Sequence, residues 1–74
     1  MKAILITRSN QQRLANQWNV EPTDLDDMLP IGYWLVAEFG SEKFVTLTAE
    51  EVGDNWTVVL GIENGYVDII RNEV

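Results

Sequence analysis

Two carboxylate clusters, Asp24-Leu25-Asp26-Asp27 and Glu50-Glu51, are the residues of this chain whose spacing invites a chemical reading. Three acids within four residues could offer oxygens to a hard cation, and a pair of acids could work as general acid and base. Neither spacing supports the chemistry. A calcium loop needs a central glycine and a terminal bidentate glutamate at fixed positions, and residues 24–27 have neither. Adjacent residues on a helix point in different directions, so Glu50 and Glu51 cannot flank one scissile bond. The sequence holds no histidine and no cysteine, which removes the commonest catalytic base, every thiol reaction and the usual zinc ligands. Ser9, Ser41 and the threonines therefore have no imidazole partner, and no nucleophile elbow or Ser-Lys motif is present. Gly32, Gly40, Gly53, Gly61 and Gly65 do not form a phosphate-cradling spacing. The expectation is a protein that is not an enzyme, with no catalytic residues, no cofactor and no metal site.

The carboxylates are better read as a surface. Between Leu14 and Ile70 stand eleven of them (Glu21, Asp24, Asp26, Asp27, Glu38, Glu42, Glu50, Glu51, Asp54, Glu63 and Asp68) against one cation, Lys43. The first thirteen residues carry Lys2, Arg8 and Arg13 and no acid. A net charge of −7 argues against direct nucleic-acid binding, which needs clustered Lys and Arg, and against an anionic membrane surface. It favours a basic protein surface as partner, although the same charge also serves solubility alone. The partner contacts expected on this reading are Asp24, Asp26, Asp27, Glu50, Glu51 and Asp54, with Trp34 or Tyr66 as aromatic anchor.

Seventy-four residues make a single domain, 1–74, with a thin stability margin and no disulfide to widen it. With 46% hydrophobic residues on so small a body, a homodimer or an obligate complex stands open beside a monomer. The apolar start Ala3-Ile4-Leu5-Ile6 is too short for a secretory signal, and no run approaches the ~20 apolar residues of a membrane span. Asn55-Trp56-Thr57 fits the glycosylation pattern but has no meaning without a secretory route. The expected compartment is cytoplasmic.

Positioning these residues falls to an α+β fold: an antiparallel sheet of about five short strands (2–7, 33–39, 43–48, 55–62 and 66–72), one helix (9–18) and two helical turns (23–29 and 48–53). Ser9 and Gln12 have capping-box spacing, and Leu14 and Trp18 give the helix an apolar edge. Thr23 is placed to cap the first turn, with Leu25, Met28 and Leu29 on one face and Pro30 ending it. Thr48 and Glu51 form a second capping box, and Gly53 should stop that turn. Gly40-Ser41 suggests a type II′ hairpin pairing Glu38 with Lys43, Val36 with Val45 and Trp34 with Leu47, with Tyr33, Leu35, Ala37, Phe39 and Phe44 on the other face. A hairpin apolar on both faces wants cover on both sides. Asn64-Gly65 calls for a type I′ hairpin pairing Ile62 with Val67, Leu60 with Ile69 and Val58 with Arg71. That register makes Trp56, Val58, Leu60, Ile62, Val67 and Ile69 a core face. It leaves Thr57, Val59, Gly61, Glu63, Tyr66, Asp68 and Ile70 on a wet one, with Gly61 marking a close approach or a bulge. Trp18 and Trp56 are expected in the core.

Residues 30–52 contain Pro30-Ile31-Gly32-Tyr33-Trp34-Leu35-Val36, then Phe39-Gly40-Ser41-Glu42-Lys43-Phe44, then Thr48-Ala49-Glu50-Glu51-Val52. This string resembles small phage and prophage proteins, mostly uncharacterised, that share a Pro-Gly-Asp-Tyr hairpin followed by a capped turn. The chain departs from that pattern at Ile31, in the missing Asp and at Val52, and the resemblance carries over no functional residue. It implies an accessory protein of phage type. Two functions follow as expectations. One is a small acidic binding protein that engages, and as a nucleic-acid mimic inhibits, a basic nucleic-acid-handling protein. The other is a structural or assembly subunit that self-associates through the apolar hairpin Tyr33–Leu47.

Overall fold

The structure, a computed structural model, describes residues 1–38 and 40–73, and of Leu60 and Glu63 the backbone only. Five strands form one antiparallel sheet: β1 (Lys2–Leu5), β2 (Trp34–Ala37), β3 (Phe44–Leu47), β4 (Trp56–Glu63) and β5 (Tyr66–Arg71), in the spatial order β3-β2-β1-β5-β4. The helices are α1 (Gln11–Trp18), α2 (Leu25–Met28), entered through a 3-10 turn at Pro22–Asp24, and α3 (Ala49–Asn55). The α+β class and the strand positions agree with the sequence reading.

The apolar first strand lies at the centre, antiparallel to both β2 and β5. Alternation along it feeds two clusters. On one face, Ile4 and Ile6 join Leu35, Ala37 and Tyr66 beneath Leu14 and Ala15 of α1 and Leu29 at the end of α2. On the other, Ala3, Val36 and Ile69 are covered by Trp34, Leu47, Trp56 and Val67. β3 and β4 are opposite edges of the sheet, so their connection must cross one face. Leu47 and Trp56, which flank α3, both pack on the second cluster, so α3 crosses that face, with Val52 buried. β2 is therefore covered on both faces, whereas on β3 Val45 is 55% exposed, so the expected two-sided cover of the hairpin is met by one of its strands.

Local signals hold unevenly. Asn64 (φ 56°) and Gly65 (φ 84°) are both left-handed, as a type I′ turn demands. The Thr48 hydroxyl accepts from the Glu51 N–H at 3.2 Å and donates to its carboxylate. The Ser9 cap does not form. Asn10 occupies that position, and its side chain ties strand to helix: Oδ1 accepts from the Thr7 N–H (2.8 Å) and Nδ2 donates to the Leu5 carbonyl (2.9 Å). Thr23 caps nothing either, because Pro22, with its preset φ, opens the 3-10 turn one residue earlier. Met28 turns outward while Leu25 and Leu29 pack inward.

Gly53 does not stop α3, which runs on to Asn55. Its last carbonyls are taken by Asn72: Nδ2 donates to the Asp54 carbonyl (3.3 Å) and the backbone N–H to that of Asn55 (2.8 Å). At the first hairpin, Trp34 opposite Leu47 and Val36 opposite Val45 agree with expectation. The turn does not: the Ser41 N–H bonds to the Glu38 carbonyl, which makes Gly40 (φ 92°) the third residue of the turn. β2 ends at Ala37, and among the described residues Glu38 and Lys43 form no ion pair. The expectation for Phe39 lies outside the described residues.

In the second hairpin Ile62 faces Val67, but an irregularity between Val59 and Ile62 then sets Val58 opposite Ile69 and Trp56 opposite Arg71. The pairs Leu60–Ile69 and Val58–Arg71 are thus displaced by two residues. An even shift keeps every side chain on its face, so the two-sided pattern survives the error in register. Gly61 sits in this bulge with φ +153° and the Asp68 carboxylate 3.4 Å from where a Cβ would stand. The larger correction concerns cover: Trp56, Val67 and Ile69 pack on the second cluster as expected, but the reverse face is covered too, at Tyr66. Tyr66, expected on the wet side, is 0% exposed, while Val58 is 49% and Ile62 77% exposed. α1 lies on the Tyr66 side, where its Leu14 and Ala15 join the same cluster. The parts assigned to the Leu60 and Glu63 side chains lie outside the described residues.

Candidate functional site

A cleft of about 340 Å³ opens where the end of α1, the segment into α2 and the start of β3 meet. Its apolar lining is Trp18, Val20, Met28 and Phe44, and its polar lining is Asn19, Glu21, Asp24, Glu42 and Lys43. It continues past Trp18 into a second hollow of about 330 Å³ bounded by Gln17, Asn19, Ser41 and Glu42.

Each wall has a local cause. Asn19 takes the left-handed conformation (φ 56°) that ends α1, and the Val20 N–H returns to the Ala15 carbonyl at 2.9 Å. That turn sends Val20 and Glu21 across the end of the helix. Trp18 packs its ring against Phe44 with centroids 5.5 Å apart and a 60° tilt, an edge-to-face type of contact. Its indole N–H donates to the Tyr66 hydroxyl (3.1 Å), which in turn donates to the Gln17 side-chain carbonyl (3.2 Å). Tyr66 therefore fixes from within the orientation of the aromatic wall. Gln11, a buried polar side chain, secures the opposite wall. Its Nε2 donates to the Leu29 carbonyl (2.9 Å) and the Asp26 carboxylate (3.3 Å), tying α1 to α2.

The electrostatics of the cleft are lopsided. Glu21, Asp24 and Glu42 oppose one ammonium group, Lys43, and α1 directs its carbonyl end, with no basic residue in its last turn, at the same place. An aromatic and thioether surface rimmed by carboxylates suits a cation carried on an apolar stem, such as an Arg or Lys side chain. No group of three or more potential metal ligands is present among the described residues, and no helix among them is long and apolar enough to cross a membrane.

Of the residues the sequence singled out, the structure brings only Asp24 to this cleft. Asp26 is engaged with Gln11, and Asp27 is exposed beside it. Glu50, Glu51 and Asp54 lie on α3, across the sheet, with Glu51 engaged in the cap. The six acids thus divide between opposite faces and do not make one array. Trp34 is half-buried over Ala3, Val36 and Ile69, and Tyr66 is inside the main core, so neither is an exposed anchor. The sequence reading missed Trp18, Met28, Phe44, Glu21 and Glu42 as a group, since no spacing links residues 18–28 to residues 42–44. Glu42-Lys43-Phe44, charged and aromatic just past a turn, was the one available signal. No protein-family model, curated protein or solved structure matches the chain.

Proposed function

We propose that this is a small acidic binding protein that acts without catalysis on a basic partner and receives an Arg- or Lys-bearing segment of it in the Trp18–Phe44 cleft. The observation that carries the reading is the meeting, in one cleft, of an aromatic pair with Glu21, Asp24 and Glu42. The partner class follows from charge: a chain of −7 attracts basic proteins over distance and repels polyanions. Nucleic-acid-handling proteins are the obvious basic class, and occupying their groove would inhibit them. The reading keeps the phage-type accessory role that the resemblance of residues 30–52 implies, and the cytoplasm as its compartment. The division of the acids between two faces counts against a continuous mimic of a nucleic-acid backbone, so the reading rests on the cleft.

The test is titration of an Arg-rich peptide against the protein, followed by tryptophan fluorescence. Exposed carboxylates in ion pairs contribute about 0.2–1 kcal/mol each, so the triple variant Glu21→Gln/Asp24→Asn/Glu42→Gln should bind roughly 3- to 100-fold more weakly. Binding should also fall with salt. An affinity that ignores both the substitutions and the salt would sink the proposal.

A further inference from the structure

β4 is an edge strand of eight residues, twice the length of β3 at the opposite edge. Natural edges are shielded by charge, proline, brevity, a bulge or a covering segment, because a bare row of N–H and C=O groups is a template for pairing. From Asn55 to Ile62 this edge has no charged residue and no proline. Among the described residues its protection over this stretch is the bulge between Val59 and Ile62, which leaves Trp56–Val59 regular. Thr57, Val58 and Val59 are all exposed.

We propose that a second copy of this chain occupies that edge, the two β4 strands pairing antiparallel about a two-fold axis at Thr57 to give a continuous ten-stranded sheet. The choice of occupant rests on charge. Two bodies of −7 repel, and over this stretch they can meet without placing one carboxylate beside another. A basic partner gains nothing from a neutral edge, whereas an identical one gains self-complementarity. Two constraints narrow the axis to Thr57 or Val58, and only Thr57 also gives Trp56 a partner within the regular stretch. A two-fold normal to the sheet sets residues of the same face opposite each other, and the bulge confines pairing to the regular stretch. Thr57 then meets Thr57, and Trp56 of each copy meets Val58 of the other, both favourable cross-strand pairs. In the Tyr33–Leu47 hairpin, where the sequence placed self-association, β2 is already buried on both faces, and the other edge, β3, has only four residues. This inference is independent of the cleft.

Sedimentation equilibrium on the full chain should give twice the 8.4 kDa chain mass at high protein concentration, at low and at high salt. Thr57→Lys sets two ammonium groups opposite each other at the axis and should raise the dimer dissociation constant by at least ~10-fold while circular dichroism stays native. Since Lys lowers the net negative charge, a loss of dimer cannot come from general repulsion. Val58→Lys, which leaves the Thr57–Asn72 side-chain hydrogen bond in place, is the second variant and should act alike. The chain has no cysteine, so Thr57→Cys can form only an intermolecular disulfide. Mild oxidation should link it quickly, and Ser9→Cys far more slowly. A monomer at every concentration, or a dimer that both lysine variants leave intact, overturns the proposal.

Discussion

Tyr66 is the residue on which the sequence pattern and the structure disagree most sharply, and its removal separates them. Alternation from the Asn64-Gly65 turn puts it on a wet face, where truncation should change stability by less than about 0.5 kcal/mol. In the structure it is fully buried among Ile4, Ile6, Leu14 and Leu35, with its hydroxyl between Trp18 and Gln17. Tyr66→Ala should then cost about 3–5 kcal/mol, the range for deleting a buried aromatic ring, and so remove most of the stability of a chain this short. Tyr66→Phe isolates the hydroxyl. It deprives the Trp18 N–H of its acceptor, but that group is only partly buried and water can reach it, so about 1–1.5 kcal/mol is expected. For a domain of this size that is a fall in Tm of roughly 4–12 °C. Thermal and urea unfolding followed by far-UV circular dichroism measures both variants, and an unchanged m-value would show that stability alone had moved. A double-mutant cycle with Trp18→Phe should return a coupling of about 1 kcal/mol if the two act through one hydrogen bond. Additive costs, or a Tyr66→Ala protein as stable as the parent, would refute the placement. Because the same hydroxyl orients the cleft wall, Tyr66→Phe should also weaken binding of the Arg-rich peptide at a temperature where the variant is fully folded.

Gln11→Leu removes the donor that Nε2 extends to the Leu29 carbonyl and should cost about 1–2 kcal/mol by chemical denaturation, where a surface glutamine would be neutral. Asn72→Ala strips the side-chain donor from the Asp54 carbonyl and the partner of Thr57. A loss of about 1 kcal/mol is expected, with faster amide exchange at the end of α3. Thr48→Ala deletes the cap of α3 and should cost about 1 kcal/mol, while Ser9→Ala and Thr23→Ala, where no cap forms, should stay within about 0.5 kcal/mol of the parent. Thermal melts of the three side by side rank the capping assignments directly.

What the sequence determined is what its neighbouring residues decide among themselves. Asn64-Gly65 suffices for a type I′ turn because both residues accept positive φ, and the pairs next to that turn follow from its length. Thr48 and Glu51 cap α3 because the bond spans three residues. Composition alone carried the absence of histidine and cysteine chemistry and the acidic character. The tertiary structure decided whatever depends on residues far apart in the chain. Tyr66 and Val58 occupy opposite faces of one hairpin, and alternation is symmetric between them. The arrival of α1, some fifty residues upstream, is what buries the first, while the second stays 49% exposed on a face that otherwise packs Trp56, Val67 and Ile69. The extension of α3 past Gly53 depended on Asn72, and the register slip on a bulge that only the finished sheet reveals. The cleft depended on bringing Trp18 and Glu21 against Glu42 and Phe44. Residues that share no element have no common period, so their meeting is a property of the packed chain.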